Sequence, residues 1–273
     1  MHLGSDVVGA VGLVLALAAC SSSESSDGSG AAASGTGATG AGAQGPGGST
    51  GSAGEGATGP GTGGSGALGG AGGTTGAPTA SQLLALTASC SEISMGDYKT
   101  DDEPSAPANI PICGLTGAVF WTADMDVDCD GKESAACSLA TDPAYQPETS
   151  ATDSKGDPLD AAALPFVVVP LPSFRFDYDA RGLALGNVIG VVYGGKVAYG
   201  VFGDEGPSNI IGEASYAMAS LLGVDPDPST GGTDGPVTYI AFTGASALVA
   251  PIEDHGAAEQ LGQTLAAKLL NDN

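Results

Sequence analysis

The chain has 273 residues, with 31 Asp and Glu against seven Lys and Arg, for a formal charge of −24. A field of that sign repels polyanions and gathers cations, so nucleic acid is excluded as a partner and a cationic ligand is the class to seek. Of the 46 Gly, 22 lie between Ser21 and Thr79, so the part of the chain able to pack is much shorter than the whole.

Val7 to Ala19 is an apolar run of 13 residues. That is too short to span a bilayer and matches the core of a signal peptide. The run ends Leu17-Ala18-Ala19-Cys20, which resembles the lipobox of bacterial lipoproteins; the resemblance implies lipidation at Cys20 and an extracytoplasmic, envelope-anchored protein. An ordinary cleaved leader is the alternative, and Met1 to Ala10 lacks the Lys or Arg with which leaders usually begin. Residues 21–79 consist mainly of Gly, Ala, Ser and Thr, with no aromatic and only Leu68 as a large aliphatic. Such a segment cannot bury enough apolar surface to fold. It is expected to be a disordered linker with a reach of ~40 Å.

Residues 80–273 hold all seven basic residues and 27 of the 31 acidic ones, so the charge belongs to the folding part. Four cysteines fall there: Cys90, Cys113, Cys129 and Cys137. In an exported chain they predict two disulfides with three possible connectivities. Nearest-neighbour pairing, Cys90 with Cys113 and Cys129 with Cys137, closes the shortest loops. The absence of CxxC and HxxxH spacing argues against zinc. His255 is the only imidazole in this part of the chain, and no nucleophile elbow accompanies it. Chemistry here has to come from carboxylates.

In chain order, Ser81 to Ser89 is a short helix candidate, and Leu115 to Trp121 is mostly apolar. Trp121 to Asp130 then alternates, with Asp124, Asp126, Asp128 and Asp130 on one side and Ala123, Met125, Val127 and Cys129 on the other. Period two predicts a half-buried strand. Thr141 to Ala163 reads as a long acidic loop that either lines a cleft or is plain surface. Leu164 to Pro170 is a β-branched run bracketed by prolines, a short buried strand. Asn187 to Tyr193 and Lys196 to Phe202 make a hairpin about Gly194-Gly195. Asn209 to Leu222 reads as a helix with Ser208 as its cap, Pro236 to Thr243 as a strand and Gly256 to Leu270 as a helix. Many short strands with two or three helices predict a mainly β fold, a β-barrel.

Two groups of carboxylates stand out. Aspartates stacked on one strand face repel each other, so they need either a cation or raised pKa values. A solvated acidic edge is the plain alternative. Asp126 to Gly131 also matches the opening of an EF-hand calcium loop, but the twelfth position is Cys137 rather than Glu, so no metal is expected. The second group is Asp204, at the end of a strand, and Glu213, nine residues later in what reads as the first turns of a helix. Both could face one cleft. The plain alternative is a turn cap and a helix-dipole partner.

Trp121 to Gly131, Leu164 to Pro170, Tyr199 to Asp204 and Ile211 to Ser215, taken in that order, resemble glycoside hydrolase family 75, the endo-chitosanases first known from fungi. The resemblance spans roughly residues 111–244. It implies hydrolysis of β-1,4 bonds in chitosan or partially deacetylated chitin with inversion and without a cofactor, and maps the family's essential pair onto Asp204 and Glu213. A partly buried carboxyl keeps its proton more easily, so Glu213 is expected as the acid and Asp204 as the base, with the reverse order as the alternative. Asp124, Asp126 and Asp128 would bind sugar ammonium groups. Trp121 or Tyr199 would offer a stacking face or else pack in the core. A double-psi type of barrel is the fold analogy, and a monomer is expected. The rival reading is a non-catalytic surface lipoprotein that binds cationic amino-sugar polymers through the same acidic face.

Overall fold

The computed structural model describes residues 76–273. The expected signal peptide, Cys20 and the linker as far as residue 75 lie outside the described residues. The first element, α1 (Ala80–Leu86), begins at a capping box in which the Thr79 hydroxyl accepts from the Gln82 N–H while the Gln82 side chain accepts from the Thr79 N–H. The strands follow as β1 (Cys113–Leu115), β2 (Ala118–Asp128), β3 (Phe166–Pro170), β4 (Val188–Tyr193), β5 (Lys196–Gly206), β6 (Glu213–Ser215) and β7 (Thr233–Phe242). Two further helices are α2 (Tyr216–Leu222) and α3 (His255–Asp272).

Six strands close on themselves in the order β2-β6-β3-β5-β4-β7, with β7 returning to β2, so the expected mainly β barrel is what forms. Strand β1 lies outside the ring on β2. The pairs β2–β6 and β3–β5 are parallel, and the other four are antiparallel. The predicted hairpin joins β4 and β5 through Gly194 and Gly195, at φ 56° and 79°. Two positive φ values in a two-residue loop are the reason that glycine occupies both places.

Strand alternation divides the apolar residues into two cores. Val119, Trp121 and Met125 of β2, Val167 of β3, Ile189 of β4, Phe202 of β5 and Tyr239 of β7 fill the barrel. Phe120, Phe166, Val188, Val201 and Ile240 point outward and pack beneath α1 and α3 with Leu83 and Leu269. The period of two places every neighbour of an inward residue on the outer wall.

Two features depart from the sequence reading. The expected helix over Asn209–Leu222 does not start at Ser208. Ile210 bridges Lys99, Gly212 turns at φ +121°, Glu213–Ser215 pairs with β2, and only then does α2 begin, capped by the Ser215 hydroxyl, which accepts from the Met218 N–H. Gly212 lies so close to Asp124 that a Cβ there would sit 2.2 Å from Oδ1. This tertiary contact overrides the helical spacing. In β5, the register against β3 slips at Gly203: Phe202 pairs with Val167, but Asp204 pairs with Val168. Phe202 and Val167 face the interior, whereas Asp204 and Val168 share the outer wall, so the bulge turns Asp204 outward.

Both nearest-neighbour disulfides are present, Cys90–Cys113 and Cys129–Cys137. A Cβ on Gly203 would lie 2.6 Å from the Cβ of Phe166. Gly203→Ala should therefore cost about 1–3 kcal/mol of stability. A thermal melt beside the parent protein would check it, and an unchanged Tm would contradict the close packing at this bulge.

Candidate active site

The outer wall of β2, β6, β3 and β5 forms the floor of a cleft of about 430 Å³. Asp126 and Asp128 enter from β2, Glu213 from β6, and Asp204 and Glu205 from β5. Asp130 follows the end of β2; Asp142 and Ala144 come from the long acidic loop, and Asp227 to Ser229 with Gly231 form the far wall. Eight of the lining residues are carboxylates and none is Lys or Arg.

The parallel register sets Glu213 beside Asp126. Glu213 is held at a pKa of about 7, first by burial and then by the charges of Asp126, Asp130 and Asp204. Its Oε2 lies where a Cβ on Gly206 would come within 2.9 Å, so the glycine leaves room for the carboxyl. Asp204 is only 7% exposed. Its Oδ1 accepts the N–H of Ser150 at 2.7 Å and that of Glu205 at 2.8 Å. Burial raises its pKa and these bonds oppose the rise. Both backbone donors act on Oδ1, and the Ser150 side chain opposes the rise as well.

The neighbours are strained in the same sense. Asp130 is raised to about 6, chiefly by burial and then by Asp204 and Asp142, even though it accepts the Gln146 N–H at 2.6 Å. Asp128 is pushed up by burial while accepting the Asp130 N–H at 2.7 Å. Asp126 is raised by burial and by Asp101 and Asp234. The Tyr178 hydroxyl donates to Glu205 from the other side of the wall.

Of the residues expected from sequence, Asp126, Asp128, Asp204 and Glu213 come together in this cleft. Asp124 does not line it: its Oδ1 is buried against Gly212 without a hydrogen-bond partner, and its pKa is raised to about 7 by burial, Asp126, Asp101 and Glu213. Trp121 and Tyr199 are not stacking faces. Trp121 is 1% exposed and stacks on Tyr239 inside the barrel at 5.3 Å. Tyr199 is 5% exposed, its ring wedged between Gly190 and Gly262. Strand alternation put both in a core. No calcium loop forms from Asp126: residues 126–128 are strand, and Cys137 is tied to Cys129. The acidic loop does line the cleft, through Asp142 and Ala144. Glu205, Asp142 and Asp227 escaped the sequence reading because nothing local to them distinguishes a cleft from a surface.

A profile described as fungal chitosanase of glycosyl hydrolase group 75 matches residues 125–267. The chain belongs to glycosyl hydrolase group 75. Endo-chitosanase B of Aspergillus oryzae is 33% identical over 177 residues, covering 59% of this chain and 73% of its own length. An endo-chitosanase of Aspergillus fumigatus is 31% identical, covering 58% of this chain and 72% of its own. Among solved structures, a Streptomyces papain inhibitor aligns with a TM-score of 0.28 at 20% identity, over 49% of this chain and 99% of its own. The group 75 chain is thus a glycoside hydrolase of the chitosanase family, and its cleft offers carboxylates as the acid and base such chemistry needs.

The raised carboxylates also set the pH dependence of stability. Glu213, Asp124 and Asp130 bind protons more tightly folded than unfolded, so the native state carries more protons between their unfolded values and about 6 to 7. Their contribution is full below about pH 4 and is lost as pH rises toward 7. Melting scans should show a lower Tm at pH 8 than at pH 5, and Glu213→Gln should raise the Tm at pH 8. A Tm flat across that window would contradict this electrostatic account.

Proposed function

We propose that this chain cleaves internal β-1,4 bonds of chitosan with inversion, Glu213 donating the proton and Asp204 activating the water. The observation that carries the reading is a carboxyl with a pKa of about 7 beside a buried carboxylate pinned by two backbone amides, in a cleft lined by eight acidic residues and no cation. Glu213 stays protonated up to neutrality, so it can protonate the glycosidic oxygen as the bond to C1 breaks. Asp204 takes a proton from a water that attacks C1 from the opposite face. Glu213 ends ionised and Asp204 protonated, and exchange with solvent resets both. Inversion needs ~6.5–9.5 Å between the two groups to admit that water.

Positive charge develops on the sugar in the transition state, and the surrounding carboxylates stabilise it in place, without reorganisation. The same field concentrates a polymer that carries ammonium groups. Asp126 and Asp128 are the ammonium partners nearest the pair along β2. Residues 80–273 would be the catalytic unit, tethered by the 21–79 linker to a lipid at Cys20, and the two disulfides suit an extracytoplasmic setting.

Reducing-sugar release from highly deacetylated chitosan tests the reading. Asp204→Asn and Glu213→Gln should each lower kcat by roughly 10²–10⁴-fold with the fold intact. Tight chitosan binding without wild-type turnover would instead favour a non-catalytic, polymer-binding surface protein. The kcat/KM profile should be bell-shaped, with its basic limb near pH 7 from Glu213 and its acidic limb above the ordinary Asp range from Asp204. Added salt should raise KM more than it lowers kcat, because screening weakens the capture of ammonium groups. A salt-independent KM would refute the electrostatic part.

A further inference from the structure

A second cavity, of about 470 Å³, lies behind the far wall of the cleft and is lined by Tyr216, Asp225, Thr141 and Thr230. The two cavities share Asp227, Pro228 and Ser229 as a common partition. That partition holds its own shape. The N–H of Asp227 donates to Asp225 Oδ1 at 3.2 Å, and those of Ser229 and Thr230 donate to Asp227 Oδ1 at 2.9 and 3.0 Å. Its link to the opposite loop is slight: among the described residues one exposed hydrogen bond, Ser229 Oγ to the Thr141 carbonyl at 2.7 Å, joins the two. A polymer leaving the acidic cleft at this end meets the partition, and the second cavity opens beyond it.

We propose that this second cavity is a further sugar-binding site on the path of the same polymer, with Tyr216 as the stacking face and Asp225 as the ammonium partner. The inference rests on the reading of the chain as a chitosan hydrolase. Tyr216 is the half-buried first residue of α2; it packs against the outer core and also lines the cavity. A pyranose presents C–H groups to an aromatic ring, and an amphipathic, partly anchored Tyr suits that contact. Asp225 is exposed and uncompensated by any Lys or Arg among the lining residues. Glu213 lies three residues before Tyr216 along an extended segment, so their Cα atoms are about 10 Å apart, and Tyr216 lines the second cavity but not the acidic cleft.

Calorimetric titration with fully deacetylated glucosamine oligomers of increasing length reads this site without turnover, in a Glu213→Gln background that prevents cleavage. Affinity should rise with length up to oligomers that reach the second cavity. Adding Tyr216→Ala should remove roughly three- to tenfold of the affinity for the longest oligomers and leave the shortest unchanged, while Tyr216→Phe should keep it. Asp225→Asn, at an exposed position and with an acceptor oxygen retained for the Asp227 N–H, should weaken the longest oligomers alone and make their binding less salt-dependent. Equal affinity in parent and both loss variants at every length, or an equal loss at all lengths, overturns the inference. Binding that is absent at every length in the parent overturns the substrate reading as well, which separates the two failures.

Discussion

Repulsion between carboxylates that have no cation to divide them is the constraint on which this molecule is arranged. Charges of one sign brought out of water raise each other's pKa values, and the cost grows with burial. The chain meets that cost with geometry rather than counter-charge. Asp128, Asp130 and Asp204 each accept backbone N–H groups, which oppose the rise without adding a positive side chain that would repel a cationic ligand. Among the described residues Glu213 has no such donor, and it is held at about 7. Burial raises both members of the proposed pair; backbone amides oppose that rise at Asp204, whereas at Glu213 neighbours of its own sign add to it.

The barrel makes this arrangement rigid. Asp126 and Asp128 on β2, Glu213 on β6 and Asp204 on β5 sit on adjacent outer walls because strand alternation and the parallel β2–β6 register leave them nowhere else to point. The exception is instructive. Asp204 would follow Phe202 into the interior but for the extra residue at Gly203, and a bulge of this kind is a means of re-aiming one side chain. The interior, meanwhile, is filled by Trp121, Tyr239 and Phe202, which back the wall and hold its strands in place.

Much of this was legible in the sequence. The Gly194-Gly195 hairpin, the buried Leu164 to Pro170 run and the aspartate alternation along β2 are local patterns with local causes, and each appears where it was expected. The helix expected from Asn209 was not legible as a strand followed by a helix, because its first part is decided by Gly212 packing on Asp124 and by β2, contacts far away in sequence. Of the two places open to Trp121 and Tyr199, a stacking face or the core, both take the core, because one lies on either side of the wall. Asp142 and Asp227 reach the cleft from loops whose path no periodicity describes, and Ser150 acts first through its main chain, which no residue type advertises.

That last contact bears on how freely this protein can vary. The long loop from Thr141 to Ala163 reaches the cleft through Ser150 N–H to Asp204, Gln146 N–H to Asp130 and Ala151 N–H to the Gly203 carbonyl. Every one of those donors is a peptide group, present whatever side chain the position carries, proline excepted. Apart from Ser150, whose side chain also helps hold Asp204 down, the rim of the cleft can therefore be rewritten residue by residue, changing which decorations on a polymer it tolerates, while the carboxylates beneath keep their backbone supports. Variation at the surface and constancy at the centre are separated by the difference between a side chain and a backbone.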